Sequence, residues 1–365
     1  MESLSKCKNK KFLIINPFGI GDVLFSTPLT RNIKETFPES KIFYLCNRRV
    51  EPALRGNPLL NGVFVYERDE FEEVKKQSKI LWLKKLWNLI SEVKKEKIDI
   101  AIDLSLNSQF GFFAKLAAIK ERVGYNYKNR GRFLTKKIKL ESYENKHIIE
   151  YYLELAKLLG FESKHKEMEL FVSKSQTDKA VEFLKRNGVG PDDLLIAVSP
   201  CGGASWGADS YRKHWPRKKF AQVSDMLINK HKAKIILTAS NNERAAIEEI
   251  EGLMHHKPIK AVGLALMDYA ALLGQSKILI ANDGGPVHIA VSLGIKTVSI
   301  FGPVDELVYG PYPQDIKKHF VIKKDLSCRP CYKNFRLSAC SYSMKCLETI
   351  SVDEVVEAVS ILGNI

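Results

Sequence analysis

No apolar run in the chain approaches the roughly 20 residues that a membrane-crossing helix needs. The best candidates, over 12–15 and 278–281, are short and read as buried strands. The first ten residues are polar and lysine-rich, with no apolar stretch of the kind found in a secretory signal, so a cytoplasmic location is expected. Acidic residues are in deficit: 42 Asp and Glu stand against 57 Lys and Arg, for a formal net charge of +15. That balance favours an anionic partner such as nucleic acid, an acidic membrane surface or a phosphorylated substrate. No recognised DNA- or RNA-binding motif accompanies the charge, and nucleic acid is not expected as a partner. Cysteine is scarce, with seven residues. In a cytoplasmic chain they read as reduced thiols or metal ligands before disulfides. Two nucleotide signatures are also missing. There is no Gly-x-x-x-x-Gly-Lys-Ser/Thr, and Gly19-Ile20-Gly21 lacks the third small residue of a dinucleotide loop, because Leu24 stands there.

What remains is an ordinary globular composition, 45% hydrophobic and 27% charged. A length of 365 residues exceeds what one core usually organises, so two domains are expected. Short apolar runs alternate with amphipathic stretches. Strands are predicted over 11–16, 41–46, 62–66, 98–103 and 122–124, with helices over 21–37, 80–97 and 147–159. Residues 161–175 break the periodicity and read as a linker. The alternation then restarts, with strands over 194–199, 234–238, around 261, over 277–281 and 297–301. Helices are predicted over 176–187, 218–231, 242–254, 268–274 and 286–293, with a terminal helix over 351–362. Repeated strand–helix alternation implies two doubly wound parallel-sheet domains, and in such sheets ligands bind beyond the carboxyl ends of the strands. The expected division is an acceptor domain over 1–170, a nucleotide domain over 171–346, and a C-terminal helix over 347–365 that packs back on the first domain. The expected ligand site is a cleft between the halves.

Four strand-to-helix turns carry chemistry-bearing residues. Asn16-Pro17-Phe18-Gly19-Ile20-Gly21-Asp22 opens the first helix. Asp22 is either a capping acid favoured by the helix dipole or a carboxylate able to take a proton from a sugar hydroxyl. In the second half, the small residues after 199 are followed by Lys213-His214-Trp215-Pro216. Lys213 is either a solvated loop lysine or a point charge for a diphosphate. Glu243 opens a helix, as a capping acid or as an acceptor for ribose hydroxyls. Asn282-Asp283-Gly284-Gly285-Pro286-Val287-His288 leaves amides open at a helix N-terminus, a ready anion site, with Pro286 suited to the first turn. A lone histidine is usually structural, but His288 stands beside this phosphate site.

Taken in order, NPFGIGDVLFSTP (16–28), RVGY (122–125), KHWP (213–216), NDGGPVH (282–288) and FGPVD (301–305) resemble glycosyltransferase family 9, the ADP-heptose:lipopolysaccharide heptosyltransferases. The resemblance implies a GT-B fold, two Rossmann-like domains facing each other across a cleft, and inverting transfer without a metal. It makes Asp22 the general base, places Lys213 on the donor diphosphate and Glu243 on the donor ribose, and sets Asp283, Gly284, Gly285 and His288 about the phosphates. Gly284 stands where the family carries a hydroxyl residue. The acceptor is expected beside Gly19, Gly21, Arg122 and Arg130. The implied partners are a nucleotide-diphosphate sugar, ADP-heptose, and an anionic glycolipid of the lipopolysaccharide-core type, with peripheral contact at the inner membrane surface. The cations Arg48, Arg49, Arg55, Arg122, Lys128, Arg130, Arg132, Lys136 and Lys137 of the first half fit such an acceptor or simply serve solubility.

No cofactor is required by this reading. Cys328, Cys331, Cys340 and Cys346 have spacing that suits a structural zinc, reduced thiols or a disulfide. Cys7, Cys46 and Cys201 read as unpaired. Two other classes share the pattern: a nucleotide-sugar epimerase or hydrolase of the same architecture, and a non-catalytic binder of nucleotide sugars or anionic glycans.

Overall fold

The computed structural model describes residues 9–202 and 204–364. Cys7, the polar N-terminal segment through residue 8 and Gly203 lie outside the described residues. The chain divides into two compact units, Met1–Phe171 and Val172–Ile365.

In the first unit the strands are β1 (Lys11–Ile15), β2 (Lys41–Cys46), β3 (Gly62–Val65), β4 (Ile100–Asp103), β5 (Glu121–Tyr127) and β6 (Lys136–Leu140). All pair in parallel, in the order β3-β2-β1-β4-β5-β6. β1 (KFLII) is buried after its first residue, as expected for a parallel strand covered on both faces. The helices are α1 (Ile20–Phe25), α2 (Thr27–Thr36), α3 (Glu51–Arg55), α4 (Arg68–Gln77), α5 (Lys79–Lys95), α6 (Ser108–Leu116) and α7 (Ile148–Leu158). One core forms where α4, α5 and α6 set Phe71, Ile90, Val93 and Phe113 against Leu13, Ile15 and Leu45 of the sheet.

The second unit repeats the plan. Its strands are β7 (Leu195–Ser199), β8 (Lys234–Ala239), β9 (Ile259–Val262), β10 (Ile278–Asn282), β11 (Lys296–Ile300) and β12 (His319–Ile322). They pair in parallel, in the order β12-β11-β10-β7-β8-β9. A short antiparallel pair, β13 (Tyr332–Lys333) and β14 (Arg336–Leu337), lies in the cysteine segment. The helices are α8 (Lys174–Arg186), α9 (Arg217–His231), α10 (Arg244–Leu253), α11 (Leu266–Leu273), α12 (Gly285–Ser292), α13 (Glu306–Tyr309), α14 (Lys345–Glu348) and α15 (Val352–Gly363). Trp215 and Phe220 anchor a core shared by β7, β8, β10 and β11. Val355, Val359 and Leu362 of α15 belong to that same core.

Several predicted boundaries shift for local reasons. The helix expected over 21–37 is two, because the Ser26 and Thr27 hydroxyls donate to the Val23 and Leu24 carbonyls, and Pro28, without an N–H, sits in the first turn of α2. The strand expected over 122–124 extends to Tyr127 as β5, and α4, α6, β6 and β12 were not predicted. The linker expected over 161–175 contains the 171/172 division, but α8 already starts at Lys174, capped by Ser173 in a capping box with Gln176.

In each sheet the strand order reverses at one place, between β1 and β4 and between β7 and β10. Ligands of doubly wound sheets sit at the carboxyl ends of the strands flanking such a point.

Candidate functional site

The switch point of the second unit is built from the ends of β7 and β10. Asn282, the last residue of β10, is fully buried. Its Oδ1 accepts from the Trp215 N–H at 3.0 Å and its Nδ2 donates to the Pro200 carbonyl at 2.6 Å. One side chain therefore holds both ends of the long loop that follows β7. Lys213, on that loop, brings its Nζ 2.6 Å from Asp283 Oδ2, and both residues are buried. The same ammonium lies 4.5 Å from the centroid of the Trp206 ring. Lys213 is thus a buried, paired cation and not a solvated loop lysine. α12 begins directly after Asp283, with Gly284 at its N-cap and Pro286 in its first turn. Burial, helped by the neighbouring Lys213 charge, pulls the His288 imidazole down to about 3, so it stays neutral at physiological pH.

Glu243 takes the capping geometry. Its Oε2 accepts from the Ser240 N–H and hydroxyl at 3.0 and 2.7 Å, while Oε1 accepts from the Gly202 N–H at 3.1 Å. His214 Nε2 meets the Gly202 carbonyl at 2.8 Å from the other side. A carboxylate has about four lone-pair sites, so Glu243 keeps acceptor capacity beyond these bonds. Under this surface Ser199 Oγ contacts Thr238 Oγ1 at 2.5 Å and Tyr269 Oη at 3.1 Å, joining the ends of β7 and β8 to α11.

In the first unit, Asp22 lies in the first turn of α1 and is half-buried. Asn16, fully buried at the end of β1, donates to the Asp22 carbonyl at 2.9 Å and fixes the turn. Gly19 is the N-cap and Gly21 lies inside the first turn. Tyr44 and Tyr143 stand near the Asp22 carboxylate; burial chiefly, and that negative charge in addition, push both phenols far above their usual range, so both remain protonated donors. Asp103 ends β4 opposite Ile15, on the far side of the switch point. It accepts from the Ser105 N–H at 2.9 Å and the Ser105 hydroxyl at 2.5 Å, and burial raises its carboxyl to about 6 against those bonds. Its place at the end of the strand expected over 98–103 did not mark it for a role.

The expected acceptor residues part company. Arg122 spends its guanidinium on the chain itself, donating to the carbonyls of Phe133, Ile119 and Lys120. It ties the chain entering β5 to the turn that follows it. Arg130 is exposed, its guanidinium 5.7 Å from the Tyr127 ring, and Arg132 lies 4.8 Å from the Phe133 ring. Arg48, Arg49 and Arg55 are instead neutralised by Glu70, Asp69 and Glu51.

The cysteine segment is held by an arginine. Arg329 donates to the Gly302 and Val304 carbonyls and pairs with Glu306, docking the segment on the turn after β11. Cys328, Cys331, Cys340 and Cys346 are free thiols. Among the described residues no three His, Cys, Asp or Glu side chains are grouped to hold a metal, which leaves the zinc alternative without support. Cys46 and Cys201 are buried thiols, each pushed up to about 12 by burial.

A family model described as glycosyltransferase family 9 (heptosyltransferase) matches residues 86–339. The chain is 26% identical to lipooligosaccharide heptosyltransferase 2 of Campylobacter jejuni, over 97% of its length and 99% of that protein. It is 24% identical to lipopolysaccharide heptosyltransferase 3 of Escherichia coli K12, over 81% and 83%. Among solved structures, a family 9 glycosyl transferase from Veillonella parvula superposes with a TM-score of 0.83 at 22% identity, covering 98% of each chain. ADP-heptose LPS heptosyltransferase II of E. coli superposes with a TM-score of 0.75 at 18% identity, covering 97% and 99%. These neighbours share the GT-B fold of two Rossmann-like units.

Proposed function

The chain belongs to glycosyltransferase family 9, and from that premise we propose that it transfers heptose from ADP-heptose to an anionic core glycolipid, with inversion and without a catalytic metal. A heptosyltransferase activity of the lipopolysaccharide-core kind is the coarser statement, carried by the curated relatives. The finer one rests on a single observation: Lys213 and Asp283 meet across the switch point of the second unit, directly before the N-terminus of α12. That arrangement offers a fixed cation and the positive end of a helix where a nucleotide diphosphate binds in this class of sheet.

In this reading the bond between the anomeric carbon and the diphosphate oxygen breaks, and the diphosphate leaves with the electron pair. Lys213 and the α12 amides stabilise the charge that develops on it. His288, held neutral, adds no competing charge. Glu243 positions the turn at Gly202 and offers its remaining lone pairs to the ribose hydroxyls. An acceptor hydroxyl attacks the anomeric carbon from the opposite side, and its proton passes to the Asp22 carboxylate. Arg130, exposed beyond β5, pairs with an acceptor phosphate or carboxylate.

The test is Asp22→Asn, with transfer to a core glycolipid acceptor and ADP-heptose affinity measured side by side. Loss of the general base should lower kcat by roughly 10²–10⁴-fold while donor affinity is unchanged. Undiminished transfer would remove Asp22 from the role. Release of free heptose at the same rate with and without acceptor would favour the hydrolase reading.

A further inference from the structure

Helices α5 and α6 cover one face of the first unit's sheet, and none of the site residues lies on their outer surface. α5 is apolar on two sides. Leu89, Ile90 and Val93 enter the core, whereas Ile80, Leu83 and Trp87 are 78%, 56% and 60% exposed. The spacing i, i+3, i+7 places those three on one stripe. On α6, Phe112 and Leu116, four residues apart, are also exposed. Cations interleave with this apolar surface. α5 carries five lysines and a single acid, Glu92, and Lys79, Lys84, Lys94 and Lys95 are exposed. Lys115 is exposed between Phe112 and Leu116, and its ammonium lies 5.9 Å from the Phe133 ring that also carries Arg132. Glu70 on the adjacent α4 is already engaged by Arg48 and Lys85.

A solvated helix has no physical reason to turn Trp, Leu and Ile outward on one stripe. We propose that the outer face of α5, continued by α6, is a docking surface for an anionic phospholipid bilayer, with Leu83 and Trp87 in the interfacial layer and the flanking lysines over the headgroups. Tryptophan and leucine on one side of a helix edged by lysine is the pattern of a helix that lies in a membrane interface. A second copy of the chain would cover the apolar stripe but would bring lysines against lysines, so the charge selects the bilayer. The proposal deepens, and rests on, the reading of the acceptor as a membrane glycolipid.

The experiment uses the full chain and two kinds of vesicle, phosphatidylcholine alone and phosphatidylcholine with roughly one-third phosphatidylglycerol. The wild type should co-sediment with the anionic vesicles and weaken as salt rises, with a blue shift of Trp emission that Trp87→Phe diminishes. Leu83→Ser/Trp87→Ser should lower partitioning about tenfold or more, and Lys84→Glu/Lys94→Glu/Lys115→Glu should abolish the preference for anionic lipid. ADP affinity, measured by calorimetry, should be the same in all of them. Wild-type partitioning by the serine variant, or no binding of the wild type, overturns the proposal. So does a dimer in sedimentation velocity that the serine variant dissociates. Vesicle binding without any ADP binding would instead count against the transferase reading and leave the surface standing.

Discussion

Two buried titrating residues, one in each unit, pull stability in opposite directions over the same range of pH. Asp103 has its carboxyl raised to about 6 by burial, so the folded chain holds that proton where the unfolded chain has lost it. Its contribution to stability is present below about pH 4 and is lost as pH rises to about 6. His288 has its imidazole lowered to about 3 by burial and by Lys213, so the unfolded chain binds that proton first. Its contribution is present above about pH 6.5 and is lost as pH falls toward 3. Between about pH 4 and 6 the slopes oppose each other, each on the order of 1.4 kcal/mol per pH unit. Asp103→Asn, which keeps an amide oxygen for Ser105, should make stability rise more steeply with pH than wild type in that window. His288→Gln should make it rise less steeply or fall. Urea unfolding at half-unit steps of pH reads both differences, and parallel profiles for variant and wild type would show that the group is not titrating as its burial demands. Neither effect was visible in the residue strings. An acid after a strand and a histidine after Gly-Gly-Pro-Val look alike whether or not they are buried.

At the scale of elements, Asn282 is the residue whose importance exceeds its prominence in the sequence. It ends β10, yet it holds the first and the last part of the loop after β7 through Pro200 and Trp215. Asn282→Ala leaves a buried N–H and a buried carbonyl without partners, at roughly 1–3 kcal/mol for each. The expected result is a lower Tm together with weaker ADP binding, because Lys213 rides on that loop. A variant that melts early but binds ADP as wild type would separate the loop from the donor subsite. The alternation of apolar runs with amphipathic stretches made most strands and long helices legible, since parallel strands covered on both faces appear as uninterrupted runs such as Phe12–Ile15. The missed elements had other constraints. β6 (KKIKL) is an edge strand, and its lysines suit an exposed edge while hiding its strand character. The glycine of RVGY was read only as part of a motif. In the structure a Cβ on Gly124 would stand 2.6 Å from the Asp103 carbonyl oxygen, so the close approach of β5 to β4 requires it.

On the scale of the whole chain, the described residues include an apolar core in each unit, one drawn from residues 13–119 and the other from 196–362. The doubling was legible because the strand–helix pattern stops and restarts, and the candidate site was legible in so far as a doubly wound sheet places its ligand residues at strand ends. Which side chains are spent on the chain itself was not: Arg122 and Glu243 become clamps only when the carbonyl and amide partners are in place. Two cores also predict how ligand binding distributes its stabilisation. At about 100 times its Kd, ADP adds roughly 2.7 kcal/mol to the state it binds, close to a 100-fold slowing of exchange for amides that open only when that state unfolds. If the donor subsite belongs to the second unit and each core opens as its own cooperative body, the amides of β7 and β10 should slow by about that factor while those of β1 and β4 keep their rates. Hydrogen–deuterium exchange by mass spectrometry resolves the two sets. Equal slowing in both would mean that the cores unfold together, and no slowing in β7 and β10 would place the nucleotide elsewhere than at Lys213 and Asp283.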